Sequence, residues 1–121
     1  MLVVDDNAPL RMVMERTFER EGMVVTTAGS RAEGMAQTGR FVVGIFDLDL
    51  GDGTGVEVAR HLLATGQVSH CVFFSGDVAS KALDEAKRIG PVFYKGDGLL
   101  QLTSHVRRLL GGQTAPRRQL A

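Results

Sequence analysis

The sequence predicts an α/β fold, a three-layer (βα)5 sandwich built on one parallel five-stranded sheet. Three observations predict it. Five short runs rich in β-branched and aromatic residues alternate along the chain with amphipathic segments of helical period. Its 121 residues suit one domain with a single core, since domains most often hold about 100–150 residues. Asp, Ser and Lys recur just after the strand runs, the place where functional groups gather in such sheets. Regular β-then-α alternation implies parallel strands, right-handed crossovers and helices on both faces.

The first strand is Leu2 to Val4. A helix of about Ala8 to Glu21 follows: Pro9 suits its first turn, Leu10, Val13, Met14, Thr17 and Phe18 share a face, and Gly22 supplies a left-handed stop. Met23 to Thr27 reads as the second strand. Ser30 and Glu33 stand at capping-box spacing to open a helix that stops near Gly39. Phe41 to Phe46 is the third and most apolar strand, and the helix after it carries Val56, Ala59, Leu62 and Leu63 before Gly66. Cys71 to Phe74 is the fourth strand. A more polar helix, about Ala79 to Arg88, leads to the fifth strand, Val92 to Tyr94. The last helix turns Leu99, Leu102, Val106, Leu109 and Leu110 toward the core. Residues 1–110 therefore read as the domain. Residues 111–121, with Gly and Pro and no apolar period, read as a C-terminal tail or linker.

Lys and Arg balance Asp and Glu at 14 each, so no global field draws the chain to nucleic acid or to an anionic membrane. Lys87-Arg88 and Arg107-Arg108 are better read as cations at helix ends than as a DNA-binding patch. A single cysteine, Cys71, excludes an intrachain disulfide and suits a reducing cytoplasm. No apolar run approaches the roughly 20 residues that span a bilayer, and the N-terminus lacks the regions of a signal peptide. His61, His70 and His105 show no metal-ligand spacing.

The chemistry gathers at the carboxyl ends of the strands. Asp5 and Asp6 follow the first, Asp47 and Asp49 the third, Ser75 and Asp77 the fourth, and Lys95 the fifth. Asp or Ser after a strand commonly caps the next helix or makes a turn. Several carboxylates on one rim repel one another, however, and make most sense around a hard divalent cation such as Mg²⁺. Asp5, Asp6 and Asp47 are the candidate cage. Lys95 and Ser75 add the positive charge and the hydroxyl that a phosphoryl group needs, and carboxylates are competent nucleophiles that form aspartyl-phosphates. Asp47, at the end of the most apolar strand and before the Gly-rich loop Gly51 to Gly55, is the expected acceptor.

These residues resemble the receiver domains of two-component response regulators. Val3 to Asn7 looks like that family's acidic pair after the first strand, and Asp47 to Gly55 like its phosphoacceptor loop, with Gly55 eight residues after the Asp. Phe73 to Gly76 resembles the hydroxyl position and Tyr94-Lys95 the essential lysine. The resemblance covers residues 1 to about 110. It implies the flavodoxin-like strand order 2-1-3-4-5, with Asp6, Asp47 and the backbone carbonyl of Asp49 as ligands of Mg²⁺ or Mn²⁺ and Asp5 acting through water. It further implies a sensor histidine kinase or histidine phosphotransfer protein as donor, an unknown output partner or domain, and a phosphorylation-dependent homodimer as one output. Ser75 and the face of the fourth helix, fifth strand and fifth helix would carry the switch, with Asp49 and Asp77 bordering the path of the water that reverses it.

Four positions depart from the family pattern. Gly51 and Gly96 stand where Pro is usual, which predicts looser loops, and Gly76 stands where Ala is common. Val92 occupies the usual position of an aromatic switch residue. Tyr94, two residues on and so on the same strand face, is the candidate substitute.

Two other classes compete. Ile45 to Asp49 also resembles the nucleophile motif of haloacid-dehalogenase-type phosphatases, but Gly51 stands where they want Thr or Val. A pseudo-receiver, with the fold but no phosphorylation, fits poorly with a complete set of acids, hydroxyl and lysine. An EF-hand loop fails because Asp52 and Val58 stand where Gly and Glu are required, and a dinucleotide-binding turn fails on the spacing of its third Gly.

Overall fold

A computed structural model describes residues 1–76 and 81–111. Five strands, β1 (Leu2–Val4), β2 (Thr26–Ala28), β3 (Phe41–Phe46), β4 (Val68–Ser75) and β5 (Val92–Tyr94), form one sheet in the order β2-β1-β3-β4-β5. Every pairing is parallel. Helices α1 (Ala8–Arg20), α2 (Arg31–Met35), α3 (Gly55–Ala64), α4 (Ala82–Ile89) and α5 (Leu100–Leu109) connect or follow the strands. The fold is the expected three-layer α/β sandwich with strand order 2-1-3-4-5. Asp77, the expected start of the fourth helix at Ala79, and the tail beyond Gly111 lie outside the described residues.

Strand alternation sorts the core into two halves. Leu2, Val4, Phe46 and Phe73 face one side, where Val56, Val58, Ala59 and Leu62 of α3 and Ala86 of α4 cover them. Val3, Ile45, Val72 and Phe74 face the other, under Met14 and Phe18 of α1 and Leu102 and Val106 of α5. Both faces of the central strands are therefore dry, which is why they read as continuous apolar runs. Full burial of a side chain such as Phe18 or Leu62 contributes about 1.5–3 kcal/mol.

Local signals set the helix starts. The Asn7 side chain accepts from the Leu10 N–H at 3.0 Å, Ser30 from Glu33 at 3.0 Å and Thr54 from Glu57 at 3.2 Å, each satisfying a donor left free by the first helical turn. Gly22 closes the turn after α1 at φ 88°.

Three boundaries differ from expectation. β2 begins at Thr26 rather than Met23, because its neighbour β1 pairs only from Leu2, opposite Thr26; Met23 and Val25 instead pack on the α1 and α5 side of the core. β4 begins at Val68 rather than Cys71, since the polar Ser69 and His70 continue the ladder beside β3, with His70 opposite Val43. α2 ends at Met35 rather than near Gly39. The Gln67 amide donates to the carbonyls of Gln37 and Gly39 at 2.6 and 3.1 Å, which holds this segment outside the helix.

Candidate functional site

The carboxyl ends of β1, β3, β4 and β5 lie side by side, so the fold alone brings Asp5, Asp47, Ser75 and Lys95 to one rim. Asp5 follows a strand whose three residues are all buried, and is itself 1% exposed. Its Oδ1 accepts from the Asn7 N–H at 2.9 Å. Asp6, the next residue, is exposed. Asp47 is held where β3 ends, its N–H donating to the Val4 carbonyl at 2.9 Å, and is 7% exposed. One carboxylate oxygen from each of Asp5, Asp6 and Asp47 lies within 4.8 Å of the others.

Lys95 is the cation among them. Its Nζ stands 2.9 Å from Asp5 Oδ2 and 3.0 Å from Asp47 Oδ2. Burial alone would lower its pKa, but the hydrogen bonds and charges of Asp5 and Asp47 outweigh burial and hold Lys95 above the ordinary lysine range. Asp47 moves upward as well. Burial pushes its carboxyl above the ordinary value, the Lys95 hydrogen bond opposes this, the Asp5 charge adds to the rise, and the Lys95 charge and the Asp49 N–H oppose it. One ammonium thus stands among three clustered carboxylates.

An all-oxygen donor set of three carboxylates, partly buried and short of positive charge, fits a hard divalent cation. Softer metals favour sulfur and imidazole. Among the described residues no other group of three or more acids, histidines or cysteines lies close enough together to hold an ion.

The loop after β3 is built around two glycines. A Cβ on Gly55 would fall 1.8 Å from the Asp47 carbonyl oxygen and 2.8 Å from its carbon, so the first turn of α3 packs directly against the backbone of Asp47. Gly51 has φ 83°, a region closed to proline, whose ring fixes φ near −65°. The usual family proline is therefore incompatible with the local backbone. Nor is the loop loose: Asp49 Oδ1 accepts from the Gly51 N–H at 3.0 Å, and Leu50 donates to the Gly53 carbonyl at 2.9 Å.

Ser75 is buried at the end of β4, opposite Tyr94 in the register. At Gly76 a Cβ would make ordinary contact with Lys95 Cδ at 3.8 Å, so an alanine would fit. Lys95 itself opens a short 3-10 turn that includes Gly96. In β5, Val92 packs on the α3 and α4 side of the core and Phe93 on the α5 side. The Phe93 ring meets His105 of α5 at 5.3 Å. Burial, then the charges of Arg108 and His70, keep His105 below the ordinary histidine range. Arg107, read earlier as a helix-end cation, pairs with Glu21 at the end of α1.

Sequence reasoning missed two residues near the rim. Arg11 of α1 donates from Nη1 to the Asp5 carbonyl at 2.7 Å. Asp52 accepts from the backbone N–H groups of Arg31 and Ala32 at 2.8 and 3.0 Å, bonds that hold its carboxyl below the usual range. An Asp in a Gly-rich loop reads as a turn residue, and no local signal links it to a helix 20 residues earlier.

A doubly wound sheet with this acidic rim and its lysine defines a two-component receiver, and the chain belongs to that family: it matches the response regulator receiver domain over residues 1–94. It is 32% identical over 96 residues to the photosynthetic apparatus regulatory protein RegA of Cereibacter sphaeroides, covering 78% of this chain and 52% of RegA. The chain thus spans about half the length of that curated relative. Among solved structures it resembles the response regulator TrrA of Thermotoga maritima in complex with Mg²⁺-BeF, at 21% identity and TM-score 0.78 over 90% of this chain and 96% of the other. It also resembles a Burkholderia pseudomallei response regulator with a phosphorylated aspartic acid and calcium, at 22% identity and TM-score 0.75 over 99% and 71%. At these identities the two structures speak to the fold. No helix among the described residues is long and apolar enough to cross a membrane.

Proposed function

We propose that the chain is a phosphorylatable switch in which Asp47 accepts a phosphoryl group from a phosphohistidine of a sensor histidine kinase or histidine phosphotransfer protein. The observation that carries this reading is the Lys95 ammonium set between Asp5 and Asp47 at 2.9 and 3.0 Å, beside the only three-acid group among the described residues. The TrrA and Burkholderia structures, whose ligands belong to those proteins, support it by family likeness.

In the proposed reaction an Asp47 carboxylate oxygen attacks phosphorus, the N–P bond of the donor breaks and the imidazole leaves with its electron pair. Asp6, Asp47 and the Asp49 backbone carbonyl would hold Mg²⁺ or Mn²⁺, with Asp5 acting through water. When bound, the cation offsets the carboxylate charges and orients the phosphoryl oxygens. Lys95 then leaves its place between two carboxylates for a phosphoryl oxygen, and Ser75 donates to another. That rearrangement biases the α4–β5–α5 face, which would carry the output to a partner, a further domain or a second copy of the chain. Reversal needs water in line with the Asp47 phosphorus. Asp49 would border that path; Asp77, the second position expected there, lies outside the described residues. The reading sets residues 1–110 as the receiver, 111–121 as a tail or linker, and the cytoplasm as its compartment.

Incubation with Mg²⁺ and a small phosphodonor, followed by intact mass, tests the assignment. One added phosphoryl group, absent from Asp47→Asn, is the expected result. No addition would mark a pseudo-receiver, and turnover of an ordinary phosphomonoester would mark a phosphatase. Tyr94, beside Ser75 in the register, is the proposed switch aromatic; a Tyr94→Ala protein is expected to take up phosphate but to lose most of the accompanying change in amide hydrogen exchange on α4 and β5. An unchanged exchange pattern would remove Tyr94 from the switch.

A further inference from the structure

The junction between β2 and α2 carries none of the three clustered acids, yet it contacts both segments that do. Arg11 donates to the Asp5 carbonyl at 2.7 Å while its guanidinium covers Gly29, where a Cβ would come within 2.8 Å of Nη1. Asp5 is tied to the same place by its own N–H, which donates to the Ala28 carbonyl at 3.1 Å. Two residues further on, the N–H groups of Arg31 and Ala32 hold both carboxylate oxygens of Asp52. The Arg31 side chain then crosses Gly53, where a Cβ would fall 2.0 Å from Cδ, and pairs with Glu57 in α3.

We propose that Arg11 and Asp52 are positioning residues, and that residues 28–32 form a bracket fixing the distance between the acidic pair and the loop that carries Asp47. The need for one follows from the charges. Three carboxylates within 4.8 Å repel each other, and Lys95 draws Asp5 and Asp47 together only from the β5 side. The bracket acts from the opposite edge of the sheet: on the Asp5 backbone for one segment, and on the Asp52 carboxylate, three residues past the proposed Asp49 ligand, for the other. It keeps the oxygens at a cation-sized spacing before any cation arrives, so its effect is on divalent-ion affinity. This inference rests on the reading of the rim as a Mg²⁺ site.

Calorimetric titration of the full metal-free chain with Mg²⁺ tests it, alongside a thermal melt of each protein. Removing an outer partner of a metal site typically weakens binding about 10–100-fold; Asp52→Ala and Arg11→Ala are expected at the lower end of that range. Asp52→Asn keeps one acceptor oxygen and should recover part of the affinity. Gly29→Ala displaces the Arg11 guanidinium without removing its charge, and should weaken binding as well. Val106→Ala, a cavity under α5 at a residue outside the bracket, should lower the melting temperature and leave the Mg²⁺ affinity at the wild-type value. If Asp52→Ala and Arg11→Ala bind Mg²⁺ as wild type does, the bracket is overturned and the site reading stands. A wild type that takes up no Mg²⁺ overturns both.

Discussion

Asp47→Asn is expected to have two opposite effects, abolishing phosphorylation and raising the melting temperature of the metal-free protein at neutral pH. The first follows from chemistry, because an amide has no anionic oxygen to attack phosphorus. The second follows from electrostatics. In the folded chain burial and the Asp5 charge raise the Asp47 pKa more than Lys95 and the Asp49 N–H lower it. A group whose folded pKa lies above its unfolded one binds its proton more tightly in the folded state, so stability falls as pH rises from the unfolded value, about 3.9, through the folded one. Above that window ionised Asp47 is a fixed cost. Asparagine keeps the shape and one acceptor for Lys95 while removing the charge. Melts in the presence of a chelator should therefore show the variant above wild type at pH 7, with the gap closing as the pH falls below about 4.

Adding Mg²⁺ should reverse the order. A ligand that binds only the folded state stabilises it by RT ln(1 + [L]/Kd), about 2.7 kcal/mol at a hundredfold excess over Kd, and wild type would gain most. A chelated Asp47→Asn protein that melts below wild type at pH 7 would show that the Lys95 contact outweighs burial, contrary to the balance argued for Asp47.

The gathering of the candidate residues could be read in the sequence because the fold does the assembling. Once strands are parallel and follow the order 2-1-3-4-5, Asp5, Asp47 and Lys95 need only stand just past their strands, and Ser75 at the end of its own, to reach one rim, and strand ends are marked by the change from apolar to polar residues. The β-branched runs at Leu2, Phe41 and Val92 located three strands correctly for the same reason. What could not be read depends on partners far along the chain. β2 is short because β1 is short, and α2 is short because Gln67 captures carbonyls 28 and 30 residues earlier. Arg11 and Asp52 act through backbone groups of other loops, and a backbone carbonyl or N–H has no signature in a sequence. The proline departures likewise read as looseness at Gly51, whereas its positive φ and the hydrogen bonds around it hold the loop.

Gly55→Ala separates local propensity from site geometry most sharply. On propensity alone the change should help, since alanine is better than glycine by up to about 1 kcal/mol in a helix interior and by less at the first position, which Gly55 holds. The contact at Gly55 decides otherwise. Its Cβ would lie 1.8 Å from the Asp47 carbonyl oxygen, 2.8 Å from the carbonyl carbon and 3.1 Å from Phe46 Cβ. Two of these three neighbours are backbone, so no rotamer change can relieve them. Either α3 retreats, opening the packing of Val56, Val58 and Ala59, or Asp47 itself moves. Overpacking of this kind costs about 1–3 kcal/mol, more than the propensity gain at its upper end, and a shift of about 1 Å at a reacting group costs about a hundredfold in rate. The denaturation midpoint is therefore expected to fall modestly and phosphorylation from a small donor to fall about a hundredfold. Gly96→Ala, where an added Cβ meets nothing within 4 Å, should change neither. The ratio of the two losses carries the information. A fall in stability with labelling at the wild-type rate would mean that α3 yields and Asp47 stays, and would overturn the expected loss of rate.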